Sequence, residues 1–218
     1  MSAGRFITFE GGEGTGKSTQ VDRLASRLEH HGISCLTTRE PGGSAFAETI
    51  RHVVLDPATP PHPPLAEALL FSAARADHLS TVINPALAAG TWVICDRFAD
   101  STRAYQGTAG GLPAETLLTL ETIVLGDTRP DLTIILDLPV DAAFARVMSR
   151  ANDVAGNQAP DAFEQRDTDF HERLRRGFLD IAAAEPKRCR VIDAAPSADT
   201  IGETVWQTVR AHFDEVKS

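Results

Sequence analysis

Apolar residues alternate along this chain between two arrangements. Short unbroken runs occupy Arg5–Glu10, Ile33–Thr38, Thr91–Asp96, Leu132–Leu138 and Cys189–Asp193. Runs that are apolar on both faces predict strands buried on both sides. Between them, apolar residues recur at helical spacing. Val21, Leu24, Ala25 and Leu28 mark one face of a helix that opens near Lys17 and ends at Gly32. The same spacing predicts helices over about Phe46–Leu55, Leu65–Ala89 with a bend near Pro85, and Pro113–Leu125 with Pro113 in its first turn. Further helices are predicted over Val140–Arg150, Asp161–Ala184 with Phe170, Leu174, Phe178 and Ile181 as its stripe, and Ile201–Phe213. The proline-rich stretch Asp56–Pro64 reads as a loop, 98–107 as loop or short helix, and the small, polar Ala151–Pro160 as mobile. This order predicts an α/β three-layer sandwich, with a central parallel sheet of about five strands flanked by helices. No internal repeat or linker interrupts it, so residues 1–218 read as a single domain. Ligands of such sheets sit beyond the carboxyl ends of the strands. That rule gathers the loop after the first strand with loops 39–43, 96–107 and 193–196.

The first of those loops carries chemistry. Gly11-x-x-x-x-Gly16-Lys17-Ser18 follows a strand and opens a helix, which is the setting of a phosphate-binding P-loop. Gly11, Gly12, Gly14 and Gly16 leave the backbone free to turn its N–H groups onto an anion. Lys17 supplies a point charge for the β- and γ-phosphates, and Ser18 a hydroxyl for Mg²⁺. Glu13, Thr15 and Thr19 complete the stretch expected to hold the nucleotide phosphates. The start of the helix turns its positive end to the same place.

Composition narrows the partners. A net charge of −9 speaks against a nucleic-acid surface, so any phosphate chemistry needs locally concentrated cations. No apolar run reaches membrane-spanning length and no signal-peptide layout precedes the first strand. Cys35, Cys95 and Cys189 form no CxxC pair and fall in predicted strands, which fits reduced thiols and a cytosolic setting. His30, His31, His52, His62, His78, His171 and His212 lack metal-ligand spacing and read as surface or packing residues.

Six segments together resemble the bacterial thymidylate kinases: FEGGEGTGKSTQ at 9–20, TREPGG at 38–43, LLFSAARADHL at 69–79, DRFADSTRAYQG at 96–107, RPDLTIILD at 129–137 and VIDA at 191–194. The P-loop is shared with many nucleotide-binding proteins, whereas TREPGG combined with the 96–107 segment is far more specific. The resemblance implies transfer of the ATP γ-phosphoryl group to dTMP with Mg²⁺. It implies that Arg97 and Arg51 grip the acceptor phosphate, with arginine suited to bidentate contact. Asp96 either orders Mg²⁺ through water or only orients Arg97. Phe71 stacks on thymine and Arg75, four residues on, bonds its O4, although Phe71 taken alone reads as core. Thr102 and Gln106 meet the base edge, Tyr105 disfavours a ribose 2′-OH, and Glu40 with Pro41 faces the sugar. Ser101 reads as a local cap. Glu13 helps place acceptor and metal, Arg146 lies along adenine, Arg150 reaches the phosphates, and Ala194 and Ala195 resemble the wall of the adenine pocket.

The likeness departs at the expected lid, about 149–166. Relatives carry D-R-x-E there, but this chain reads Asp161-Ala162-Phe163-Glu164, leaving Arg166 as the candidate substitute. The family is typically a homodimer. A kinase for another nucleoside monophosphate, a pyrimidine one above all, or for a nucleoside would share fold and P-loop but differ at 71, 75, 102 and 106. A GTP switch would want an N-K-x-D motif, which is absent.

Overall fold

The computed structural model describes residues 4–153 and 161–216. Strand β1 (Phe6–Glu10) leads into helix α1 (Lys17–His30), followed by β2 (Cys35–Arg39), α2 (Ala45–Leu55) and α3 (Pro64–His78). A wide π-type turn (Leu79–Ile83) and α4 (Asn84–Ala88) continue α3, and β3 (Trp92–Asp96) follows. Then come α5 (Ala99–Thr102), a second π-type turn (Arg103–Ala109), α6 (Ala114–Leu125), β4 (Leu132–Asp137) and α7 (Val140–Asp153). Helix α8 (Thr168–Ala184), β5 (Cys189–Asp193), α9 (Ala198–His212) and a 3₁₀ turn (Asp214–Val216) complete the order.

The five strands make one parallel sheet in the order β2-β3-β1-β4-β5, so β1 is central. Ile7, Phe9 and Ile134 pack on Leu24 and Leu28 of α1 and Val205, Trp206 and Val209 of α9. On the opposite face, Phe6, Val93 and Cys95 meet Leu79, Ile83 and Phe98. Near the β4–β5 side, Ile135 packs with Tyr105, Phe170, Leu174 and Phe178. Each large apolar side chain so buried stabilises the fold by about 1.5–3 kcal/mol. Thr8 and Thr133 satisfy each other across β1 and β4 at 2.8 Å, which allows two hydroxyls inside an otherwise apolar sheet. Cys95 and Cys189 are buried thiols and Cys35 is half-buried. Among the described residues no helix is long and apolar enough to cross a membrane.

The predicted three-layer architecture stands, and several element boundaries move. The predicted helix Asp161–Ala184 begins only at Thr168. Asp161 Oδ1 accepts from the N–H groups of Phe163 and Glu164 at 2.8 and 2.9 Å, and Asp167 caps α8 by accepting from Phe170 N–H at 2.7 Å. Short acidic side chains have captured amides that a helix would have used. The break in Leu65–Ala89 lies in the π-type turn just before Pro85, because proline offers no N–H to close a normal turn. Pro113 stands at the N-cap with extended ψ, one position outside α6. Helix α7 runs to Asp153, into the segment expected to be mobile; residues 154–160 lie outside those described. Ser197 accepts from Thr200 N–H and so starts α9 three residues earlier than its apolar stripe suggests.

Candidate active site

The loop leaving β1 is shaped by close approach. A Cβ on Gly14 would lie 2.5 Å from the Ala143 carbonyl oxygen, and its φ of +69° already favours glycine. Gly16 caps α1 with φ 88° and offers no side-chain hydrogen bond to the first amides of the helix. Those amides are left to an anion. Lys17 Nζ donates to the Gly12 carbonyl at 2.7 Å, and Thr15 Oγ1 to the same oxygen at 3.0 Å. Burial, seconded by Arg97, lowers the Lys17 pKa to about 8. Ser18 Oγ donates to Asp96 Oδ2 at 2.5 Å, which brings the P-loop hydroxyl against the end of β3.

Arg97 is built into this junction. It is a non-glycine residue in the left-handed region, at φ 70°. Its Nη1 donates to the Gly11 carbonyl at 2.9 Å, its Nη2 to Glu13 Oε1 at 2.6 Å, and its guanidinium carbon lies 5.1 Å from the Tyr105 ring centroid. The Tyr105 hydroxyl donates to the same Glu13 oxygen at 2.6 Å. Burial works to raise the Glu13 pKa, but Arg97, Lys17 and the Tyr105 hydroxyl together hold it down to about 2. Glu13 is therefore a fixed anion that aims Arg97 and Tyr105. Burial opposes the Arg97 charge, yet the Glu13 carboxylate outweighs it and raises the arginine pKa.

Glu10 belongs to the same construction and escaped the sequence reading. Its fully buried carboxyl accepts from Phe98 N–H at 2.8 Å, Ser101 N–H at 3.3 Å and the Ser101 hydroxyl at 2.6 Å. Burial first, then the nearby Asp100 charge, push its pKa up to about 8. Ser101 is thus a bridge, since its Oγ also accepts from Arg97 Nη1 at 3.3 Å; the expected local cap is corrected. An acid ending an apolar strand was the available signal for Glu10.

From Lys17 and Ser18 a cleft of about 520 Å³ runs past Arg97 to Phe71, Arg75 and Gln106. Glu40, Pro41, Arg51, Thr102 and Tyr105 line it as well, so the predicted acceptor residues share one space with the P-loop. Arg51 Nη1 donates to the Pro41 carbonyl at 2.8 Å. Phe71 is half-buried, its ring 6.0 Å from that of Phe163, so it serves packing and the cleft wall together. Arg75 donates through Nε to Glu40 Oε2 at 2.7 Å and through Nη2 to Thr102 Oγ1 at 3.0 Å. The Glu40 carboxylate is thereby engaged with Arg75 and, on its other oxygen, with His78. Gln106 Nε2 donates to Glu67, which also takes the Arg166 guanidinium at 3.0 Å. Arg166 lies over the Phe163 and Phe170 rings and points to Glu67 rather than to the P-loop.

On the other flank Arg146 Nη2 donates to the Ala195 carbonyl at 3.0 Å, which joins α7 to loop 193–196. That loop does not line the cleft, and Ala194 is fully buried with its N–H on the Asp137 carbonyl at 2.8 Å. Arg150 lies on α7 one turn after Arg146, with its side chain outside the described part. Ser18 and Asp96 present hard oxygen atoms beside the P-loop, which suits Mg²⁺ held mainly by phosphates and water with one or two protein oxygens. Among the described residues no group of three His, Cys, Asp or Glu side chains could hold a metal by itself.

The family model for thymidylate kinase matches residues 9–205. A thymidylate kinase of Bradyrhizobium sp. (strain ORS 278) is 52% identical over 207 residues, spanning 95% of this chain and 90% of that protein. One from Nitrobacter hamburgensis is 53% identical, spanning 95% and 88%. The crystal structure of thymidylate kinase from Ehrlichia chaffeensis superposes with a TM-score of 0.76 at 33% identity, covering 96% of this chain and 99% of that one. This chain belongs to the thymidylate kinase family.

Proposed function

We propose that the chain transfers the γ-phosphoryl group of ATP to dTMP, giving dTDP and ADP, with Mg²⁺ at Ser18 and Asp96. One observation carries the reading: a single cleft is lined by the P-loop lysine, by Arg97, and by an aromatic face, a guanidinium and an amide, those of Phe71, Arg75 and Gln106. The acceptor phosphate is largely dianionic at neutral pH because its second pKa is about 6, so no base is needed to remove a proton. The difficulty is bringing two anions into line. Lys17 and Arg97 offset charge from the donor and acceptor sides, and Arg51 steadies the acceptor phosphate from α2. Glu13 stays ionised and keeps Arg97 in place while charge shifts between oxygens. Bound Mg²⁺ supplies neutralisation of the triphosphate. Phe71, Arg75, Thr102, Tyr105 and Gln106 select the thymine base and its deoxyribose, with Glu40 and Pro41 at the sugar. Arg146 and Ala194 belong to the adenine side. Arg150 is assigned to the triphosphate by its place on α7, and residues 149–166 to a lid within one domain.

The same reading includes a cytosolic homodimer. Helix α2 packs on α3 and α3 on α6, and this layer exposes Val53, Leu65, Leu69, Leu118 and Ile123 to solvent. Apolar side chains gathered on adjoining helices mark a contact surface. The functional test is ADP release across dTMP, dUMP, UMP, CMP, GMP and AMP. dTMP should lead, and UMP or CMP outpacing it severalfold would replace the assignment with another pyrimidine monophosphate kinase.

A further inference from the structure

His78 was read from sequence as a surface or packing residue, and its surroundings say more. It ends α3, three residues after Arg75 and on the same helical face. Its side chain is completely buried, yet both ring nitrogens are engaged. Nδ1 lies 3.1 Å from Glu40 Oε1, and Nε2 lies 2.7 Å from Thr38 Oγ1. An ionised Glu40 can only accept, so Nδ1 donates to it, and Nε2 pairs with the Thr38 hydroxyl, which can either donate or accept. The other Glu40 oxygen accepts from Arg75 Nε at 2.7 Å, and Arg75 Nη2 is spent on the Phe98 carbonyl and Thr102. Arg75 Nη1 is the nitrogen that takes no part in these bonds, and Arg75 lines the cleft.

The loop of residues 38–43 is also moulded on this ring. A Cβ on Gly43 would sit 2.3 Å from His78 Nε2 and 2.5 Å from Thr38 Oγ1, so the second glycine of TREPGG leaves room for the imidazole. The Pro41 carbonyl in the same loop receives Arg51 Nη1. One buried ring therefore sets the loop that anchors Arg51 and the carboxylate that anchors Arg75. A ring present only for volume would leave its nitrogens without this division of partners.

We propose that His78 is a positioning residue for the acceptor, fixing Glu40 and through it the orientation in which Arg75 meets the acceptor base. This rests on reading the cleft as the dTMP site.

The test is steady-state kinetics of His78→Leu, His78→Gln and His78→Asn, with dTMP and ATP varied in turn. Asn can set an amide donor near the place of Nδ1 and keep the Glu40 contact; Gln and Leu cannot. In the Leu and Gln variants the KM for dTMP should rise about tenfold while that for ATP stays within about twofold, the loss expected for a hydrogen bond to a buried charge. Asn should restore most of the dTMP affinity. Adding His78→Gln to Glu40→Gln should cost little more, because both break one chain of contacts. An unchanged dTMP KM in the Leu variant overturns the inference, as do dTMP and ATP constants that move together. If the Leu variant does not fold, the polar pair decides, and equal dTMP constants for Asn and Gln overturn it. A wild-type enzyme that ignored dTMP would remove the cleft assignment itself; a wild-type enzyme that uses dTMP, with indifferent variants, removes only the role of His78.

Discussion

Replacing Glu13 by Gln tests whether a carboxylate inside the P-loop is a structural anion. The side chain keeps its shape and one accepting oxygen, and loses the charge that Arg97, Lys17 and Tyr105 surround. The native pKa is near 2 against an ordinary 4.5. At about 1.4 kcal/mol per unit, ionised Glu13 contributes about 3 kcal/mol to the folded state, an order-of-magnitude figure. Its side chain is 24% exposed, so solvent screening removes only part of that. The sign follows from linkage. The folded pKa lies below the unfolded one, so the contribution is complete above about pH 4.5 and drains away as pH falls towards 2. Urea unfolding followed by the fluorescence of the buried Trp92 and Trp206 reads this directly. The variant should be about 2–3 kcal/mol less stable than the parent at pH 7, and the gap should shrink to roughly 60% of that value at pH 3.5. A gap that does not change with pH, or a variant as stable as the parent at pH 7, would show that Glu13 is not held as an anion by Arg97.

Two further outcomes concern turnover and affinity. Lys17→Ala and Arg97→Ala should each lower kcat for dTMP by on the order of 10²–10³, since each removes a cation aimed at developing phosphoryl charge; near-normal ADP release from either variant refutes its role. The Lys17 pKa of about 8 means that the ammonium is lost as pH rises through that value, so binding of an ATP analogue to the nucleotide-free enzyme should weaken between pH 7 and 9.5. A flat titration over that range counts against it, and Lys17→Met should be flat by construction.

The sequence exposed what local patterns encode. β1 and the P-loop were legible because an apolar strand, spaced glycines and a helical stripe follow one another within residues 6–28. Arg97 stood out as a charge at the carboxyl end of a buried strand. The turn at 161–166 was misread because the stripe of Phe170, Leu174, Phe178 and Ile181 says nothing of where its helix begins, and periodicity does not register an aspartate that takes backbone amides for itself. The π-type turns were invisible for a similar reason, since one extra residue in a turn leaves composition untouched. His78 and Glu10 were missed because their partners are remote: Glu40 lies 38 positions before His78, and Phe98 lies 88 after Glu10. Neither residue announces burial, and only the folded sheet brings a partner to it. The acceptor arginines were legible in identity and not in attachment, as Arg75 shows: its bond to Glu40 joins two segments that the sequence had given separate tasks.

The bare opening of α1, where Gly16 offers its amides no side-chain partner, leaves a piece of the fold unfinished by the polypeptide. A phosphate completes it, as a keystone closes an arch. Whatever seats itself there also resists melting, by an amount that grows with the logarithm of its concentration. The resistance of this fold to melting is therefore tied to how much nucleotide occupies the loop, and it should rise as ATP is titrated in.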